Sequence, residues 1–335
     1  MQQPTNNQPP TLKRRRAKQL GLLLVLLVAV LTTASNYQNI ADWLALRNYQ
    51  PPAAISSLAD QTTMTPLARK IFYVNHPALD AKTVFGNECP NGQREKTIVL
   101  GCYRGNQHGI FLLNVTDPRL GGVEDVTAAH EMLHAAYDRL SSNERSRVDG
   151  LLQDYFAHDL HDQRIIDTVA SYRKSEPNDV VNEMHSIFGT EVANLPAGLD
   201  QYYQRYFTNR AQIVSHADAY QVEFTSRQAA VQRADDQLSA LKSRITSGKA
   251  DLNTRNAVIV STQKTLLAER TNNTAAYNAA VPGYNKMVDD YNAEVQVVKS
   301  LIETHNDLVI SRNKIVLEEA QLVNELNSTA TPINH

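Results

Sequence analysis

Two kinds of periodicity divide the chain. From about Arg210 to Asn327 apolar residues recur every seven positions, first as Phe224, Val231, Leu238, Ile245, Leu252, Ile259 and Leu266, then as Val281, Val288, Val295, Ile302, Val309, Val316 and Val323. Such a repeat lays one apolar stripe along a helix. The two runs meet near Thr271-Asn272-Asn273-Thr274 and predict two long helices that fold back as an antiparallel α-helical coiled-coil hairpin over 211–328. An arm of about 55 residues would extend roughly 80 Å. Polar residues at the alternate seam positions, Arg227, Gly248, Arg255 and Thr262, predict a loose coil. Tyr277-Asn278, Tyr284-Asn285 and Tyr291-Asn292 repeat at the same period, and Pro282-Gly283 predicts a kink or weak point in the returning arm.

Before Arg210 the pattern is mixed. A helix is expected over Ser57–Arg69 and a strand over Ile71–Val74. Two more strands are expected, over Thr97–Tyr103 and Ile110–Val115, followed by helices only. The order predicts a compact α+β domain with a mixed sheet over 55–210. Val123, Val126, Met132, Leu133, Ala136 and Leu140 recur near the helical period, with Ala128, Ala129 and Ala135 as strong helix formers. Ser141-Ser142-Asn143-Glu144 reads as a capping box that starts the next helix, expected to cover Arg147–Asp159. Ser175-Glu176-Pro177-Asn178-Asp179 starts another, running from Val180 to Phe188 and ending at Gly189. Residues 36–54 read as a linker, stopped at Pro51-Pro52, and 329–335 as a tail.

Charge changes the picture at the N-terminus. Lys13, Arg14, Arg15, Arg16 and Lys18 precede the first acidic residue, Asp42, and an almost wholly apolar run follows from Leu20 to Ala34. Residues 1–19 are thus expected as a basic cytoplasmic tail and 20–35 as a membrane anchor or signal segment. The run of roughly 12 to 15 residues is short for a span, but Thr32-Thr33-Ala34 makes a weak cleavage site. An uncleaved single-pass signal-anchor is therefore expected, with the N-terminus inside and the rest extracytoplasmic; a secreted chain is the alternative. The remaining 28 basic residues face 35 acidic ones, a balance that offers nothing to nucleic acid. Cys89 and Cys102, the two cysteines, suit a disulfide in an exported protein, with two free thiols as the alternative. No Cys-x-x-Cys pair is present to hold zinc.

One segment carries chemistry in its spacing. His130-Glu131-Met132-Leu133-His134 puts two imidazoles on one helical face, one turn apart, as half of a tetrahedral zinc site. Glu131 lies about 100° further round the helix, where its carboxylate can reach a water acidified by the ion without binding the ion itself. A third ligand is then needed. Glu183 lies inside a predicted helix and Glu191 beyond Gly189, so Glu183 is the expected ligand and Glu191 the reserve. His158 and His161 stand at a predicted helix end and read as surface residues.

His130-Glu131-x-x-His134 followed by Asn182-Glu183-x-x-Ser186 resembles the zincin metallopeptidases, and within them the gluzincin branch with its Asn-Glu-x-x-Ser segment. The resemblance covers about 110 residues and implies a small zincin-like catalytic domain, with His130, His134 and Glu183 on zinc and Glu131 as catalytic base. It also implies that the strand before the motif helix, Ile110–Val115, pairs with extended substrate. The family's Asp after that Ser is replaced by Ile187, so the carboxylate backing a ligand must come from elsewhere, Asp138 being a candidate. Leu140 stands where a metzincin has its third His. An oxyanion donor is also required, with His185, Tyr155, Tyr202, Tyr203 and Tyr206 as candidates.

The combined expectation is a membrane-anchored extracytoplasmic zinc metallopeptidase, cleaving peptide or protein substrates. Its coiled coil would serve as a spacer or as a docking surface for an envelope protein. A non-catalytic cell-envelope scaffold or regulator acting through that coil is the alternative.

Overall fold

The computed structural model describes residues 26–28, 30, 32, 33, 36–90 and 99–327. They are mostly helical, with a small three-stranded mixed sheet and a long C-terminal helical hairpin. Two compact units result, one of 36–90, Gly101–Asn114 and Glu124–Val214, the other of 99–100, Val115–Val123 and 215–327.

The first unit opens with α1 (Tyr37–Leu46), α2 (Ala53–Gln61) and α3 (Pro66–Val74). The segment read as a linker thus contains a helix. It is tied down by Asp42, which is 2 % exposed and accepts hydrogen bonds of 2.8 and 3.0 Å from the Arg139 guanidinium. The Lys70 ammonium lies 3.3 Å away. The expected helix at Ser57–Arg69 is broken in two, and the expected strand at Ile71–Val74 is helical. The Thr65 hydroxyl accepts from the Ala68 amide and Pro66 occupies the first turn, so a new helix starts there. Its buried residues Ala68, Ile71 and Phe72 follow the helical period rather than strand alternation.

The sheet has the order β1-β3-β2, from β1 (Ala78–Asp80), β2 (Gly101–Tyr103) and β3 (Ile110–Leu113). β3 pairs in parallel with β1, Leu79 opposite Leu112, and antiparallel with β2, Cys102 opposite Phe111. Both sides of β3 are therefore taken. The implied pairing of this strand with substrate is corrected, because a strand with two neighbours has no backbone groups left to offer. Between β1 and β2, α4 (Lys82–Glu88) ends at Cys89, which forms a disulfide with Cys102 across a Cα–Cα distance of 6.0 Å.

The helices that follow are α5 (Val123–Asp138), α6 (Ser142–His158), α7 (Gln163–Ser175), α8 (Val180–Glu191) and α9 (Ala197–Tyr203). The capping box between Ser141 and Glu144 is present. α5 is the central helix, with Ala128, Ala129, Met132, Leu133 and Ala135 fully buried. Its alanines leave room for neighbours on every side. α8 runs three residues past its expected end at Phe188, through Gly189.

The second unit contains most of the hairpin of α10 (Arg210–Asn272) and α11 (Thr274–Leu326), the start of α10 through Val214 belonging to the first unit. It turns at Asn273, whose side chain caps α11 by accepting from the Ala276 amide at 3.2 Å. Arg312 pairs with Asp235 at 2.9 Å and Gln228 with Glu319 at 3.2 Å, so the arms are antiparallel and in register about the turn. Pro282 lies inside α11, so the helix continues across the expected weak point. The seam drifts toward its end: Val316 and Val323 are exposed, whereas Leu322 and Leu326 are buried with Leu120 and Val123.

The expectation of a membrane-spanning segment is also corrected. Among the described residues no helix is long and apolar enough to cross a membrane. α1 has ten residues, about 15 Å against the roughly 30 Å of a hydrocarbon core, and it carries the buried Asp42. The proposed basic tail and most of the 20–35 run lie outside the described residues. The single-pass, signal-anchor localisation is not carried forward.

Candidate metal centre

His130 and His134 stand one turn apart on α5, their ring centroids separated by 4.8 Å. Glu183, in the first turn of α8, faces both. Its Oε2 lies 3.6 Å from His130 Nε2 and its Oε1 lies 3.4 Å from His134 Nε2. The three residues form a group that could hold a metal ion, with one donor atom from each within 4.8 Å of the others.

Two imidazoles and one carboxylate are a donor set suited to a transition metal. Among the described residues the buried Glu183 Oε2 has no hydrogen-bond partner, and a cation would satisfy it. The Glu183 carboxylate also favours positive charge beside it. Burial alone would lower the His130 imidazole, yet the Glu183 carboxylate outweighs it and pushes His130 up to about 9. Burial raises the Glu183 carboxyl, but His134, His130 and the Tyr172 hydroxyl together hold it below its ordinary range.

The approach of α8 to α5 depends on Gly189. A Cβ there would run into Leu133 Cδ1 and come within 2.8 Å of Tyr203 Cε1. Leu133 adjoins His134, so this contact sets the distance between the two helices that carry the ligands. An alanine at an open helical site gains up to about 1 kcal/mol over glycine, whereas overpacking costs about 1–3 kcal/mol. Gly189→Ala is therefore expected to lower stability by about 1 kcal/mol in chemical denaturation. The C-terminal end of α8 is held by Arg210, whose guanidinium donates to the carbonyls of Val192 and Ala193.

Glu131 is 6 % exposed and lies against β2. Burial raises its carboxyl, partly offset by the nearby imidazoles and by a hydrogen bond from the Tyr103 amide. Glu191, the reserve ligand, is paired with Arg164 on α7 and is outside the metal-binding group. Asp138 is exposed and lies by the Tyr103 hydroxyl, so the carboxylate expected to back a histidine faces another way. His158 and His161 are exposed and join no metal-binding group among the described residues.

The proposed oxyanion donors are internal. His185 is fully buried, with Nε2 2.8 Å from the Tyr202 hydroxyl, and burial holds its imidazole well below the ordinary range. Tyr203 donates to the His185 carbonyl at 2.6 Å, and Tyr155 to the Asn194 carbonyl at 3.0 Å. The neighbour that the sequence reading missed is Tyr172 on α7, half-buried beside Glu183. Asp162 at the N-cap with Ile165 and Val169 four apart was the available signal for that helix.

Comparison of the chain with protein-family models, with curated proteins and with solved structures yields no match.

Proposed function

We propose that the protein is a zinc metallopeptidase with a gluzincin-like centre, in which His130, His134 and Glu183 hold the ion and Glu131 is the general base. The observation that carries this reading is the convergence of Glu183 on both imidazoles, with a buried carboxylate one residue along from the first of them. Bound zinc supplies a Lewis acid that acidifies water and polarises a peptide carbonyl. Glu131 takes a proton from the attacking water and delivers it to the leaving amine. A scaffold protein with a structural metal has no use for that carboxylate, which favours the enzyme over the scaffold. The helical hairpin is read as a loose antiparallel coiled coil that spaces or docks the catalytic unit.

The test is metal content of the full chain after dialysis, beside Glu183→Ala and Glu191→Ala. One zinc per chain is expected, lost with Glu183→Ala and kept with Glu191→Ala, together with zinc-dependent hydrolysis of an unstructured polypeptide. No retained zinc in the unaltered chain after zinc is supplied would end this reading.

A further inference from the structure

Resting on the metallopeptidase reading, we propose that β2 is the seat of the general base: Gly101 fits the strand against Glu131, and the Cys89–Cys102 disulfide clamps it there, so that reduction of the disulfide releases the base.

The contact is close. A Cβ on Gly101 would lie 2.6 Å from Thr127 Cγ2, 2.7 Å from Glu131 Oε1 and 2.8 Å from Glu131 Cγ. The backbone of β2 therefore touches the carboxylate directly, and only glycine permits it. The strand is oriented to serve the same carboxylate. The Arg104 amide donates to the Gly109 carbonyl at 2.9 Å, and Cys102 is opposite Phe111. By antiparallel alternation the Tyr103 amide points away from β3, and it donates to Glu131. Two consecutive outward positions, Gly101 and Tyr103, thus hold one side chain.

The residue between them is Cys102. Among the described residues β2 is a three-residue edge strand with one neighbour, too short to be held firmly by its own ladder. The disulfide joins its middle residue to Cys89, which is 5 % exposed and closes α4 beside the buried Phe85. A dithiol reductant would break the S–S bond, each sulfur receiving one electron and one proton, while the reductant's two thiols become its own disulfide. β2 would then keep its hydrogen bonds to β3 but lose the covalent tie that presses it on Glu131.

The experiment compares the oxidised full chain, the chain reduced with dithiothreitol and then freed of that zinc-binding dithiol by anaerobic gel filtration, and the oxidised Gly101→Ala variant. Each is assayed for kcat and KM on a quenched fluorescent peptide, for bound zinc, and for amide hydrogen exchange at Tyr103. Reduction is expected to speed Tyr103 exchange and to lower kcat by roughly a hundred-fold, the cost of misplacing a catalytic group by about 1 Å. KM and zinc content should hold, and reoxidation should restore kcat. Gly101→Ala should reproduce the kcat loss with zinc retained, its melting temperature falling by only a few degrees, the cost of one overpacked methyl; should that variant fail to fold, the reduced chain decides alone. Unchanged Tyr103 exchange on reduction would overturn the clamp. If the oxidised chain hydrolyses nothing, the peptidase reading fails while the exchange measurement still decides whether β2 is held by the disulfide.

Discussion

Replacing Glu131 by Gln is expected to cut kcat by about 10²–10⁴-fold, the span of a general base, while zinc stays bound. Glutamine keeps the shape of the side chain and its place against Gly101 but cannot take a proton. Glu131 does not belong to the metal-binding group, so metal content should match that of the unaltered chain. This separates it from Glu183→Ala, where activity and metal fall together. Hydrolysis of a fluorogenic peptide beside elemental analysis reads both quantities. A Glu131→Gln variant with full kcat would assign the base to another residue or the metal to a structural role.

The second large effect concerns stability. Asp42→Ala is expected to destabilise the first unit by about 3–5 kcal/mol, because it strips the counter-charge from a largely buried guanidinium. Arg139 is 15 % exposed and Asp42 3 % in their side chains, and both terminal guanidinium nitrogens donate to this carboxylate. At about 2–4 °C per kcal/mol for a unit of this size, a melting temperature lower by about 10 °C is expected. Burial pushes the Asp42 carboxyl up, but Arg139, Gln38 and Lys70 outweigh it and leave it below the ordinary range. A carboxylate lowered by folding stabilises the protein above its unfolded value, and this contribution is lost as pH falls through the folded value. The deficit of Asp42→Ala should therefore be full at neutral pH and shrink on acidification. A melting temperature unchanged at neutral pH would show that α1 is not held by this pair.

Arg139 directly follows α5, so the same pair anchors the C-terminal end of the helix that bears both histidines. Its importance was hidden in the sequence. Asp42 stands in a stretch with an exposed Trp43 and Leu44 that reads as a weakly amphipathic linker, and nothing local says that its carboxylate meets a residue 97 positions away. Ile71–Val74, expected as a strand, is helical for a related reason. A short run of branched and aromatic residues suits either structure, and the choice fell to the cap at Thr65.

Some features were legible because they are local. Helical spacing alone put His130 and His134 on one face and Glu131 beside them. The seven-residue repeat announced the hairpin and its turn, and the Ser141–Glu144 cap was readable from four residues. Glu183 was separable from Glu191 only by its place in a predicted helix, which was itself extended by one turn in the structure.

By itself, the sequence determined what periodicity and near neighbours control: the helix of the His-Glu-x-x-His motif, the hairpin, and the Ser141–Glu144 cap. The tertiary structure alone decided which side chains from distant segments meet. It brought Glu183 opposite both imidazoles through the close contact at Gly189, assigned Glu191 to Arg164, sealed His185 among tyrosines, and set Gly101 against Glu131. Those meetings depend on the separation of packed helices and strands, a quantity fixed by side-chain volumes across the core and by no pattern along the chain.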